Sequence, residues 1–177
     1  MGIGYLTGQG GGGSNIKSFQ TGAAVITNLN TLDIAISAID TSKSVIRIWV
    51  KPAGSNNTDY EAIMAKITSS TQINLSRKTA YAGVNYIQWE VIEFNNVKSK
   101  QSGDLTVPFG TAGTFQTTAI SSVDVNKSLI FGSFKAIAGD TGIASALNIF
   151  KISSATEVSI SKAGQSYSAH WQVIEFK

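Results

Sequence analysis

The sequence predicts an all-β protein built from two tandem small antiparallel β-sandwich or jelly-roll-like domains. Short segments of alternating apolar and polar residues follow one another from residue 16 onward, separated by turn-forming residues. The six residues at 89–94 (WEVIEF) return almost unchanged at 171–176 (WQVIEF). No window of about a dozen residues combines a 3.6-residue apolar period with helix caps.

Composition supports this class and excludes several kinds of site. Of the 177 residues, 14% are charged, below the usual quarter or so, and the net charge of +3 is spread thinly along the chain. Nucleic-acid binding normally needs a clustered basic stripe, so we expect none. The chain has no cysteine and one histidine, which excludes disulfides and the usual thiolate or His-rich metal sites. We therefore expect no metal and no cofactor.

The N-terminal segment 1–15 is glycine-rich and is predicted to be an arm outside the domains. Glycine loses much backbone entropy on ordering, so the arm is either a flexible leader or orders against a neighbouring subunit through Tyr5 and Leu6. No strand precedes the glycines and no Gly-Lys-Ser/Thr follows them, which excludes a phosphate loop. We expect no signal peptide and no membrane span, since no apolar run approaches ~18 residues.

The first half divides into segments with strand character. Ile46, Ile48 and Val50 share one face, and turn-forming residues such as Asn28 and Asn30 lie between the segments. The segment 59–66 also permits a short helical turn. The predicted strands are 16–20, 23–28, 31–38, 45–51, 61–68, 71–78 and 85–94.

The second half can be aligned with the first. The opening 16–22 (IKSFQTG) matches 97–103 (VKSKQSG), and 39–46 (IDTSKSVI) matches 123–130 (VDVNKSLI). We therefore predict an arm at 1–15, a first β domain at 16–95 and a second at 96–177. Domains this small gain stability from packing on a partner, and the short junction between them requires a fixed docking.

The closing strands are predicted to be the structural centre of each domain. Trp89 and Glu93 share one face, while Phe94 lies on the other. The face of the closing strand that carries Phe94 is also apolar, so it is either partly covered within the chain or lies at a subunit interface. A half-buried carboxylate needs a partner, so we predict that the first and last strands of each domain are adjacent and pair Lys17 with Glu93 and Lys98 with Glu175. The candidate structural and interface residues are Trp89, Glu93, Phe94, Trp171, Glu175, Phe176, Lys17, Lys98, Tyr5 and Leu6.

Candidate chemistry is sparse. His170 has no triad partners nearby and is predicted to be a surface or interface residue, and the carboxylates are scattered singly, so we expect no enzyme activity. Carbohydrate binding stays open, because aromatic side chains often form such platforms. Position 49 matches Ser133 or Phe134 in the second half, and position 60 matches Ala144 or Ser145, so the copies differ there. The candidate platform residues are Trp49, Tyr60, Tyr81 and Tyr86.

The opening 16–22 and the closing 89–94, with glycines just before the opening, resemble a small domain common in tailed-bacteriophage genomes. That family is generally a virion structural component, so the resemblance implies other virion proteins as partners and a location in the virion after synthesis in the host cytoplasm. Lys100 departs from the pattern, since the first copy has Phe19 there. Three chains of two similar domains would give six similar lobes, which favours a homotrimer. We expect a capsid decoration or accessory protein; the alternatives are a tail, baseplate or fibre component, or a receptor- or carbohydrate-binding module.

Overall fold

The computed structural model describes residues 15–52, 62–80, 83–108, 114–137, 149–161 and 166–177. In these ranges the protein is all-β, with four three-stranded antiparallel sheets, and the one helical element is a 3-10 turn at Val125–Lys127. The predicted fold class is confirmed. Several residues singled out in the sequence lie outside the described residues: Tyr5, Leu6, Tyr60, Tyr81, Ala144 and Ser145.

The strands of the first half form two sheets around one core. One sheet has the order β1–β6–β3 and the other β2–β5–β4. Ile46, Leu75 and Trp89, from three different strands, meet in the core between them. The strands are β1 (Ile16–Ile26), β2 (Thr31–Ala35), β3 (Ser44–Pro52), β4 (Met64–Ser69), β5 (Gln72–Ser76) and β6 (Asn85–Phe94).

The second half repeats this arrangement. Its sheets have the orders β7–β12–β9 and β10–β11–β8, and Val158, Ile160 and Trp171 lie in the core between them. Each half is therefore a small β-sandwich whose alternating apolar residues face inward. The strands are β7 (Val97–Val107), β8 (Phe115–Ala119), β9 (Ser128–Ala136), β10 (Phe150–Ser154), β11 (Glu157–Ser161) and β12 (Tyr167–Phe176).

Two details of the predicted strands are wrong. Segments 16–20 and 23–28 form one continuous strand, β1, because Gly22 continues the strand and makes room for the indole of Trp89. The helical turn proposed within 59–66 is absent from its described part, where β4 begins at Met64. Positions 59–61 lie outside the described residues.

The two closing strands are central. β6 lies between β1 and β3, and β12 lies between β7 and β9, so the first and last strands of each half are adjacent as predicted. The register places Gly22 opposite Trp89 and Gly103 opposite Trp171. Among the described residues, the structure contains no helix with the length and apolar character needed to cross a bilayer.

Candidate functional site

The predicted ion pairs form in both halves. Lys17 Nζ lies 2.8 Å from Glu93 Oε1, and Lys98 Nζ lies 2.8 Å from Glu175 Oε1. Neighbouring residues of a strand normally point to opposite faces, yet Lys17 and Ser18 both reach Glu93. A register shift between Ile16 and Ser18 makes this geometry available, since a bulge redirects a side chain.

Each carboxylate accepts two further hydrogen bonds of the same kind. Glu93 accepts from Ser18 Oγ at 3.0 Å and from the Asp40 N–H at 3.2 Å. Burial opposes the ionisation of Glu93, but its hydrogen bonds outweigh that effect and lower its pKa. In the second half the Lys98 ammonium, together with the Asp124 N–H, lowers the pKa of Glu175 to about 2. Both glutamates are ionised at neutral pH and hold strand ends together.

The glutamine of the opening motif, Gln20 or Gln101, binds the backbone that follows a strand of the facing sheet in each half. The Gln20 amide donates to the Ser37 carbonyl at 2.9 Å and accepts from the Ser37 N–H at 2.7 Å. Gln101 makes the same two bonds to Ser121, at 2.9 and 2.6 Å. An amide side chain here satisfies backbone groups beyond the end of β2 or β8, which explains why glutamine occurs in both copies.

The repeated glycine serves the repeated tryptophan. A Cβ added to Gly22 would lie 2.4 Å from the Trp89 ring, and one added to Gly103 would lie 2.8 Å from the Trp171 ring. Both indoles are buried, and among the described residues neither indole N–H has a hydrogen-bond acceptor. The motif residues Lys, Ser, Gln, Gly, Trp and Glu are thus all used to hold the fold.

The single histidine belongs to a polar cluster on the second half. His170 Nδ1 lies 2.8 Å from Asp104 Oδ1, and Lys66 Nζ lies 2.5 Å from Asp104 Oδ2. Burial lowers the pKa of His170, although Asp104 opposes this. Because Lys66 comes from the first half, the cluster joins the two halves. No group of three or more potential metal ligands occurs within the described ranges.

The halves dock edge to face. We call the side of the β7–β12–β9 sheet that carries Gln172 and Ser133 the second outer face. We call the edges of β3 and β4 that pair with no other described strand the first open edge. The buried Gln172 amide accepts from the Ile46 N–H at 3.1 Å and donates to the Ile46 carbonyl at 3.0 Å. Ser133 Oγ bridges the N–H and C=O of Ala65, at 2.9 and 3.2 Å. These side chains satisfy the unpaired backbone groups of an edge strand.

An apolar cluster completes this junction. Val45 and Ile92 from the first half pack with Val97 and Ile174 from the second. The rings of Phe94 and Phe176 meet edge to face, with centroids 5.2 Å apart. The second face of each closing strand is therefore covered within the chain at its C-terminal end, which supports the first of the two interpretations above.

Lys100 adds a polar contact at the rim. Its Nζ donates to the Thr41 carbonyl at 2.8 Å, again from the second half to the first. Burial lowers the pKa of Lys100 to about 8, and Asp40 opposes part of this shift. The side chains of Gln172, Ser133 and Lys100 all reach in the same sense, from the second outer face to backbone groups of the first open edge or of the turn that precedes β3.

We call the corresponding side of the β1–β6–β3 sheet the first outer face. Its end at Ile92 and Phe94 is buried in the junction, whereas the rest of it carries exposed apolar residues. Phe19, Val25, Trp49 and Tyr86 are each about half exposed, at 47, 49, 49 and 50%. Val25, Trp49 and Tyr86 line a groove of about 400 Å³. The Arg47 guanidinium lies 4.8 Å from the centroid of the Trp49 ring. Two of the four predicted platform aromatics, Trp49 and Tyr86, thus share one face.

The junction is the part of the site that sequence reasoning missed. The register places Ser133 opposite His170 and Trp49 opposite Gln88, so Ser133 is the counterpart of Trp49. Gln172 likewise corresponds to Glu90, and Lys100 to Phe19. A signal was present: the two copies differ in chemistry at the positions that dock. This difference indicates a docking surface only once the strand register shows that the positions lie on one face of the sheet.

The comparisons with known proteins add no identification. No family model matches the chain, and no significant similarity was found to a curated protein or a solved structure.

Proposed function

We propose that this protein is a non-enzymatic structural component of a bacteriophage particle, a capsid decoration or accessory protein that stabilises or decorates the shell. The observation that carries the proposal is the first outer face. Val25, Trp49 and Tyr86 line one groove on this face, and large exposed apolar groups gathered in this way mark interaction sites. Phe19, Trp49 and Tyr86 provide large apolar side chains on one sheet.

Three further considerations support this assignment. The opening and closing motifs resemble a virion structural domain, and their polar residues are occupied with internal contacts. The strand-rich scaffold offers a surface for assembly with other virion proteins. Three chains, each with two similar lobes, would match trimeric or hexameric neighbours, so we propose a homotrimer. The protein would work in the virion without a cofactor.

Two alternatives have specific support. A tail, baseplate or fibre component would use the same scaffold and the same apolar face. A receptor- or carbohydrate-binding module would use Trp49 and Tyr86 on the first outer face, since sugar rings stack on aromatic side chains. Trp49 is half exposed beside Arg47, so part of its side chain is accessible to such a ligand.

The deciding experiment is the copy number and position of the protein in intact particles. Quantitative mass spectrometry of purified virions gives the ratio to the major shell protein, and gold-labelled antibody gives the position. Hundreds of copies over the shell are expected for a decoration protein, whereas a handful at one vertex indicates a tail component. Saturable binding of the isolated protein to host-surface polysaccharide, with no copies in the particle, would overturn the proposal.

A further inference from the structure

We infer that the first outer face binds the edges of β9 and β10 of a second copy of this chain, in the edge-to-face arrangement that already joins the two halves. These are the edges that pair with no other described strand. We call those edges the second open edge. The inference rests on the proposed assembly function and adds which surfaces make the contact. It predicts a head-to-tail series of lobes, alternately within and between chains.

The polar contacts of the junction within one chain are one-sided. The second outer face is docked on the first open edge through Gln172 and Ser133. The reverse contact is absent from the described residues: Glu90, the counterpart of Gln172, pairs with Arg47 of its own sheet, and Trp49 is half exposed. A one-sided contact between two similar units leaves one copy of each surface unused. Among the described residues, the surfaces left without this contact are the exposed part of the first outer face and the second open edge.

The unused edge carries exposed apolar residues at positions whose counterparts are buried. Leu129 and Ile149, at the starts of the segments around β9 and β10, are 49 and 53% exposed. Their first-half counterparts Val45 and Met64 are 0 and 4% exposed. Val45 belongs to the apolar cluster of the junction, and Met64 precedes Ala65, whose N–H donates to Ser133. The second open edge therefore has the composition of a covered surface, and none of the described residues covers Leu129 or Ile149 as the junction covers their counterparts.

One polar contact of the junction corresponds to two apolar residues on the surfaces that are not docked. Lys100 on the second outer face donates to the carbonyl of Thr41. The corresponding residues on the unused surfaces are Phe19 and Val125, which are 47 and 43% exposed. The docked surfaces thus have a polar contact at these two positions, and the surfaces that are not docked have two exposed apolar side chains. The same docking would bring them together and bury them.

Equivalent residues of the two halves also touch each other. The Phe94 and Phe176 centroids are 5.2 Å apart, and Asn96 Nδ2 lies 3.3 Å from Asn15 Oδ1. In a one-sided arrangement only positions close to the rotation axis contact their own equivalents. Successive copies placed by the same operation therefore gather around this axis, which favours a closed ring over an extended filament.

A disulfide test addresses the predicted pair directly, because the chain has no cysteine. Under mild oxidation, F19C/V125C is expected to give covalently linked chains on a non-reducing gel, and reduction should return a single band. L29C/V125C is the matched control, since Leu29 is also about half exposed, at 48%, but lies outside the first outer face. Equal cross-linking of the two variants would overturn the inference.

A second test replaces residues of the first outer face with the residues that the second half has at the same positions. The same fold already accommodates those residues there. F19K and W49S should each raise the dissociation constant of the oligomer by at least about 30-fold, the size of an interface hot spot. Circular dichroism and a cooperative melt confirm folding. L29S should leave the dissociation constant unchanged, and V125E combined with F19K should restore assembly that either change alone weakens.

The outcomes separate this inference from the proposed function. Variants that stay monomeric and are lost from particles support both. Variants that assemble as the wild type does overturn the inference, and their normal copy number in virions would leave the proposed function standing. Loss of glycan binding in W49S without any change in assembly would also overturn the inference, by assigning the first outer face to carbohydrate.

Discussion

Two buried glutamates explain most of the repeated motif at the scale of single residues. Glu93 and Glu175 each accept from a lysine, a serine and a backbone N–H, and each is at most 2% exposed. The lysine and the glutamate come from opposite ends of each half, so the pair fixes the register of the first and last strands. This part of the structure was predictable, because a carboxylate in an apolar strand needs a cation and each opening motif supplies one.

The pH dependence of stability tests the role of Glu175. Its pKa in the folded protein is about 2, below the ordinary 4.5, so its contribution to stability is fully present above pH about 4.5 and is lost as the pH falls toward 2. E175Q should lower the urea midpoint at pH 7 and flatten the acid-induced fall between these values. E157Q, on the partly exposed Glu157, serves as the control. An unchanged acid response in E175Q would contradict this role.

The glycine opposite each tryptophan gives a second prediction at this scale. An added methyl at Gly22 would lie 2.4 Å from the Trp89 ring, so the indole or the strand must shift. We expect G22A to cost about 1–3 kcal/mol of unfolding free energy, as overpacking of a core does. G103A, with a 2.8 Å approach to Trp171, should fall in the same range. Urea denaturation measures both, with T21A on the exposed neighbouring position as control. Wild-type stability of G22A would contradict the packing.

At the scale of elements, the two sandwiches were predictable and their docking was not. Alternation predicts the strands, since it follows from burial of one face. The need of each buried glutamate for a cation predicts that the first and last strands of each half are adjacent. The junction instead uses backbone N–H and C=O groups of β3 and β4, which every sequence provides. The side chains that form the junction differ between the two halves, so the repeated residues do not reveal where the halves dock. Two strands were predicted at 16–20 and 23–28, whereas β1 runs through Gly22 without a break.

A reciprocal exchange tests the junction. Gln172 is buried and uses both its donor and its acceptor on Ile46, whereas its counterpart Glu90 lies in an ion pair with Arg47. Q172E removes the donor and buries a charge, which should cost about 3 kcal/mol of unfolding free energy. E90Q should cost no more than about 1 kcal/mol, the usual limit for exposed pairs. Equal effects in chemical denaturation would contradict the edge-to-face docking.

The whole molecule should unfold as one unit. Val45 and Ile92 share an apolar cluster with Val97 and Ile174, and no long linker separates the halves, since β6 ends at Phe94 and β7 begins at Val97. Loss of either half exposes this cluster and the backbone edges that it protects. Scanning calorimetry is expected to give one transition with equal calorimetric and van't Hoff enthalpies. Two resolved transitions would show that the halves are energetically independent.

Assembly through the first outer face is the central claim at this scale, because it links the duplication, the one-sided junction and the proposed place in a particle. Native mass spectrometry of the full chain at tens of micromolar tests it most directly. We expect a closed assembly at three times the chain mass of 18.7 kDa, which F19K/W49S should reduce to the mass of a single chain. A wild-type protein found only at 18.7 kDa under these conditions would contradict it.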